Sequence, residues 1–266
     1  MTLQTKDTTA AITTIDLDFM LSHFEEPIWP RPVSTHATQN RQVEVNSRQA
    51  GLNLFEYAKS LDCKIRAFPS YVEWKGLNRQ PPNLIFIDLD LLRFKSKPGL
   101  DRALHNTLQN IKEKLDNAQP TVLWSGGGYH IIMPTKAFLL EDYGVFADNF
   151  KQPSRKFLQF AEQYFTNKKA DPCHTLTMSF KNCMLRVPGS YNSKYVQIDD
   201  KHEIVNRSPE AEVKIIQQWD GKRPAINWLL RDFRRYLIQD KYDKTRKHFH
   251  PPKEFCTYWR SSKCDR

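Results

Sequence analysis

Apolar positions along the chain follow two rhythms. In "LDFMLSHF", Leu17, Met20, Leu21 and Phe24 recur at i, i+3, i+4 and i+7, the stripe of an amphipathic helix. Thr14 is its expected N-cap. Asp16 and Asp18 fall in the first turn, where carboxylates suit the helix dipole. The three prolines of "EEPIWPRPVSTHATQN" predict an extended connector. A second helix is predicted over about 47–60, with Leu52, Leu54, Phe55 and Ala58 inward. Further stripes predict helices near 101–116 (Leu104, Leu108, Ile111, Leu115), around 138–148, and over 153–166 (Phe157, Phe160, Ala161, Tyr164). The last strong one is "AINWLLRDFRRYLIQD". It turns Ile226, Leu229, Leu230, Phe233 and Leu237 inward and Arg231, Arg234 and Arg235 outward.

The second rhythm is that of strands. "CKIRAFPSYVEW", "NLIFIDLDLL", "TVLW" and "IIM" are short, apolar and bounded by breakers. Strands and helices mix without a regular βαβ alternation, so the expected fold class is α+β. No internal repeat or low-complexity block interrupts them.

Composition narrows the classes. The 266 residues are 39% hydrophobic and 26% charged, the balance of a globular chain. No apolar run approaches the roughly 20 residues that span a bilayer. No secretory signal precedes the first helix, so a cytoplasmic, intracellular location is expected. The five cysteines are scattered and odd in number, which argues against a disulfide framework. A net charge of +10 favours a polyanionic partner such as nucleic acid or nucleotide phosphate. An acidic membrane surface would satisfy the charge equally, and so would a merely basic protein.

The tetrapeptide Ile-Asp-Leu-Asp occurs at 15–18 and again at 87–90. On a helix, residues two apart point in nearly opposite directions, so Asp16 and Asp18 cannot converge on one ion. On a strand they share a face, so Asp88 and Asp90 project side by side while Leu89 faces the other way. Two carboxylates in an apolar strand need compensation, and a divalent cation supplies it. The alternative is a strand that ends near Asp88 and leaves both carboxylates in water.

"WSGGGYHII" sets three glycines between two apolar strands. Such a turn can form an anion-binding concavity of backbone N–H groups, with Ser125 and His130 as flanking donors. A plain glycine hairpin is the alternative. Farther on, "DPCHTLTMSFKNCMLRVPGSYNSK" offers Asp171 as a third carboxylate and Arg186, Asn192 and Lys194 for phosphates.

In combination these motifs are far more specific. An Asp-x-Asp on a strand, a Ser-Gly-x-Gly-x-His, and an aspartate followed by Arg-x-Pro-Gly-x-x-Asn-x-Lys occur in that order. This succession resembles the archaeo-eukaryotic primase superfamily, in particular the primase-polymerase catalytic domains of plasmids, viruses and archaeal mobile elements. The resemblance covers roughly residues 45–200. It implies a mixed sheet with an RRM-like module, helices packed on the sheets, and an active site in the cleft between two sub-modules. The catalytic metals, Mg²⁺ or Mn²⁺, would lie on Asp88, Asp90 and Asp171. The nucleotide would be held by Ser125, Gly127, Gly128, His130, Arg186, Asn192 and Lys194. The implied activity is template-directed nucleotidyl transfer, as a DNA primase or polymerase. Its partners would be a single-stranded DNA template and primer, NTP or dNTP, and a helicase or template-binding domain, with no membrane.

Many relatives also carry a zinc element near the catalytic core. Cys173, His174 and Cys183 are the residues nearest such a place, though no CxxC pair is among them. The expected organisation is an N-terminal helix and connector over 1–44, the catalytic core over 45–210, and C-terminal helices with a basic tail over 211–266. Three rivals remain. Asp-x-Asp also serves metal-dependent glycosyltransferases. His248, His250 and Tyr258 faintly match a replication-initiator nickase. A nucleic-acid-binding module without polymerase activity would use the carboxylates structurally.

Overall fold

In the computed structural model, the residues described are 14–69, 83–136, 153–171, 174, 178–199 and 204–249. Met1–Asn227 forms one compact unit and Trp228–Arg266 another.

The first unit opens with helix α1 (Thr14–Leu21). Strand β1 (Arg31–Ser34) and strand β2 (Val43–Val45) follow. Helix α2 (Arg48–Tyr57) begins at Ser47, whose hydroxyl accepts the Ala50 N–H at 3.2 Å. This is ordinary N-capping. Strand β3 (Lys64–Arg66) comes next. With the later strand Met184–Arg186 these make a four-stranded antiparallel sheet, ordered β2-β1-β3 and then Met184–Arg186.

The second sheet is also antiparallel. Strand β4 (Leu84–Asp90) lies at its edge, beside β6 (Gly128–Pro134), then β5 (Thr121–Trp124), then Lys214–Gln217. Met184–Arg186 is therefore β7 and Lys214–Gln217 is β10. Strands β8 (Val196–Ile198) and β9 (Ile204–Arg207) form a separate ribbon. Helix α3 (Lys97–Lys114) and helix α4 (Pro153–Phe165) pack on β4 and on each other. The result is an α+β fold built on antiparallel pairing.

One apolar core joins the two sheets with α1, α2 and α4, while the β8–β9 ribbon packs on a smaller cluster of Leu61, Tyr191 and Ala211. The larger core runs from Leu17 and Met20 of α1 through Phe55, Ile65 and Leu185 to Leu84, Phe86, Leu123, Ile132 and Leu158. Each such side chain contributes roughly 1.5–3 kcal/mol on burial. Leu89 is fully buried, as strand alternation requires for the residue between Asp88 and Asp90.

The structure departs from the sequence-based elements in two places. The proline-rich connector contains β1, an interior strand of its sheet. Pro32 is tolerated there because the pairing with β3 involves only Val33 and Ser34. Helix α3 starts earlier than predicted, at the Ser96 cap. Its buried face is Leu100, Ala103, Thr107 and Ile111, with Leu104 and Leu108 half-buried at its margin. The helix expected around 138–148 lies outside the described residues.

The second unit is described only by helix α5 (Asn227–Phe249), which extends the predicted segment well into the basic tail. Leu229, Leu230, Phe233 and Leu237 are buried, and Arg231, Arg234 and Arg235 are exposed. Among the described residues, no helix is long and apolar enough to cross a membrane.

Candidate active site

Strand β4 carries the pair of aspartates out of the core. Leu84, Phe86, Asp88 and Asp90 share one face, and Leu84 and Phe86 anchor it in the apolar interior. Asp88 has 21% of its side chain exposed. Burial pushes its carboxyl up to about 7, and the negative charges of Glu162, Asp90 and Asp171 add to this against the opposing charge of His174. Asp90 ends the strand and turns the chain. Its Oδ1 accepts the Leu92 N–H at 2.9 Å and caps the short 3-10 turn Leu91–Arg93.

His130 on β6 is paired in register with Asp88. Its Nε2 lies 3.8 Å from Asp88 Oδ1. Its Nδ1 is buried and within hydrogen-bonding reach of no described group. Burial, then the positive charges of Arg186, His174 and Lys64, hold its pKa well below the usual imidazole range. Both influences favour the neutral imidazole of His130.

Asp171 arrives from far along the chain. Its backbone N–H reaches the Asp88 carbonyl at 3.4 Å. The three predicted carboxylates thus belong to one neighbourhood. Among the described residues, no three His, Cys, Asp or Glu side chains are already drawn together as a metal-holding group. Donor chemistry still suits a hard divalent cation. Asp88 and Asp90 share one face of β4, and the Asp171 backbone lies against Asp88.

The glycine segment is a hairpin between β5 and β6. Ser125 closes it, its backbone N–H and its hydroxyl both donating to the Gly128 carbonyl at 2.9 and 3.1 Å. Ser125 is buried, so its hydroxyl works within the turn. At Gly128 a Cβ would come within 2.2 Å of the Leu89 carbonyl oxygen, so glycine lets β4 and β6 approach. At Gly126, φ is +88° and a Cβ would meet the Asn192 Cβ at 2.6 Å. Chain-on-chain packing thus accounts for these glycines without invoking a phosphate. Gly127 accepts the Leu91 N–H through its carbonyl at 2.9 Å, which ties the hairpin to the end of β4.

Asn192 has a structural job. Its Nδ2 donates to the Ser125 carbonyl at 3.1 Å, and its Oδ1 caps the turn Ser193–Tyr195. Lys194, next in that turn, is exposed. Arg186 on β7 stands opposite Lys64 in the first sheet. The positive charges of both act on His130 and help lower its pKa. Arg186 Nη1 donates to Asp62 Oδ1 at 3.0 Å. Asp62 is itself buried and accepts from the Ser193 N–H and hydroxyl. Burial works to raise its pKa, but these bonds and the Arg186 charge bring it below the usual carboxylate range.

Of the residues tied to zinc by resemblance, Cys173 lies outside the described residues. Cys183 is fully buried in the apolar core, where burial drives its thiol pKa far up. His174 instead turns Nδ1 to Glu162 Oε1 at 2.7 Å.

Glu162, from α4, and Asp62 are the site residues that sequence reasoning missed. Glu162 is fully buried and also accepts the Asp88 N–H, at 3.0 Å. A signal existed: it interrupts the apolar face of Leu158, Ala161 and Phe165 on α4.

No family model matches the chain, and no curated protein matches it. Solved structures are similar to it. One is primase RepB', at 16% sequence identity and a TM-score of 0.50, over 90% of this chain and 67% of that one. Another is the catalytic domain of primase RepB' in complex with initiator DNA, at 17% identity and a TM-score of 0.47, over 86% and 97% of the two chains. The likeness is one of fold: this chain has an α+β architecture similar to that of primase RepB'.

Proposed function

We propose that the protein is a primase-type nucleotidyltransferase that joins nucleotides on a single-stranded DNA template. The observation that carries this reading is the meeting of distant segments around Asp88. Asp88 and Asp90 share a strand face, His130 stands opposite Asp88, and the Asp171 N–H lies 3.4 Å from the Asp88 carbonyl. Similarity of fold to primase RepB' supports it. In this reading the second sheet with α3 and α4 is the RRM-like module.

Asp88, Asp90 and Asp171 would hold Mg²⁺ or Mn²⁺, which when bound activates the 3′-hydroxyl and neutralises the leaving pyrophosphate. The rest of the work falls to the chain's own groups. His130, beside Asp88, would contact a phosphate oxygen. Arg186 keeps Asp62 on Nη1 and directs its remaining N–H groups to the triphosphate. Exposed Lys194 would add positive charge for the phosphates. Catalysis of this kind is mostly positioning and electrostatics.

The test is incubation with primed and unprimed single-stranded DNA, NTP or dNTP, and Mg²⁺ or Mn²⁺. The wild-type protein should incorporate nucleotides only with metal. Asp88→Asn with Asp90→Asn should reduce incorporation by at least ~100-fold, since such sites supply several kcal/mol of transition-state stabilisation. Undiminished synthesis by that variant would overturn the proposal. Tight DNA binding with no incorporation under either metal would favour a binding module.

A further inference from the structure

Glu162 is a fully buried carboxylate, a costly arrangement unless its charge is answered. The answer is specific. A single oxygen, Oε1, receives two donors: the backbone N–H of Asp88 at 3.0 Å and Nδ1 of His174 at 2.7 Å. Phe86 buttresses the arrangement, with its ring 5.0 Å from the rings of both His174 and His130 in edge-to-face contact. Around it, α4 holds the carboxylate rigidly through Leu158, Ala161 and Phe165, all buried.

We infer that Glu162 is a positioning residue for the acidic site at Asp88, an inference that rests on the nucleotidyltransferase reading for its kinetic consequence. Its oxygen pins the backbone of β4 at the residue that bears the first carboxylate. That bond is made to the edge strand on the side away from β6, where, among the described residues, no neighbouring strand supplies an acceptor. The same oxygen holds the His174 ring with Nδ1 toward α4. His174 lies close enough to Asp88 and Asp171 for their charges to act on it. Glu162 therefore sets the placement of Asp88 and the orientation of His174 together. Loss of either bond would loosen both, as groups behind ligating residues commonly do.

The closing experiment uses the full chain with Glu162→Gln, which keeps shape and one acceptor oxygen, and Glu162→Asp, which is too short to reach both donors. Without metal or nucleotide, hydrogen exchange at the Asp88 amide should quicken in Glu162→Asp. The ¹⁵N resonances of His174 should shift in both variants while the melting temperature of Glu162→Gln stays close to wild type. In turnover, Glu162→Gln should lower kcat by roughly 10–100-fold with an unchanged nucleotide KM, the range usual for such supporting residues. In a His174→Ala background its effect should shrink, because the two residues act as one unit. Wild-type kcat in both variants, or unaltered Asp88 exchange and His174 resonances, would overturn the inference. If the wild-type protein incorporates no nucleotide while the exchange and resonance changes appear, the clamp stands and the polymerase reading fails.

Discussion

The same four residues, Ile-Asp-Leu-Asp, stand at the start of α1 and at the end of β4 and behave as opposites. In α1, Asp18 is exposed and forms a two-pronged ion pair with Arg48 at 2.6 and 3.0 Å. The Arg48 hydrogen bond lowers its pKa. In β4, Asp88 faces a fully buried glutamate, a histidine and two further aspartates, and its carboxyl is pushed up to about 7. A surface carboxylate that has found its cation is finished chemically. One held half-buried among other acids retains a demand for positive charge. Local sequence is identical, so the difference comes from backbone period and from what the fold brings opposite.

The largest effect should come from exchanging the roles in assay. Asp88→Asn should reduce metal-dependent incorporation by at least ~100-fold, several kcal/mol at 1.36 kcal/mol per factor of ten, whereas Asp18→Asn should leave it unchanged. Equal losses from the two substitutions would erase the contrast.

Next in size is the hairpin that abuts the acidic strand. Gly128→Ala would force a Cβ to within 2.2 Å of the Leu89 carbonyl oxygen, so the β4–β6 pairing must part to admit it. A loss of ~1–3 kcal/mol is expected from such overpacking, measured by denaturant unfolding. A neutral outcome would mean the close approach is not structural.

A smaller effect concerns pH. Asp88 titrates at about 7 in the folded chain, against 3.8 as its ordinary value. Between those values the folded state keeps a proton that the unfolded state has released. Stability of the metal-free protein should therefore fall as pH rises across that window and level off above it. Asp88→Asn should remove this fall and stabilise the metal-free chain by ~1–3 kcal/mol at pH 8, after discounting for its partial exposure. Unfolding curves at pH 5 and pH 8 check the sign. The smallest effect belongs to Asp18→Asn, whose ion pair is open to solvent. Its influence on stability should be slight and should vanish at high salt.

Much of the site could be read along the chain because it depends on short periods. Asp88 and Asp90 share a face by strand alternation, and His130 follows the glycine turn by a fixed spacing. The glycines themselves answer to a different demand than the phosphate grip expected of them. Gly126 and Gly128 are required by the approach of Asn192 and Leu89, and Ser125 closes the turn with its own hydroxyl. Those requirements come from strands that no local pattern reveals.

Glu162 and Asp62 show the same limit from the other side. Glu162 meets Asp88 across 74 residues, and Asp62 meets Arg186 across 124. Asp62 looks like an ordinary surface acid in one dimension, and Glu162 shows itself only as a break in the apolar face of α4. Each is buried because a donor waits at the other end of a long loop of chain.

By itself, the sequence determined periodicities: which segments turn as helices, which alternate as strands, and hence which aspartates can act as a pair. It also set the basic balance that favours a polyanionic partner. Only the tertiary structure decided which charges meet. Burial and distance control the strength of an electrostatic interaction, and both arise when segments far apart along the chain are packed against each other.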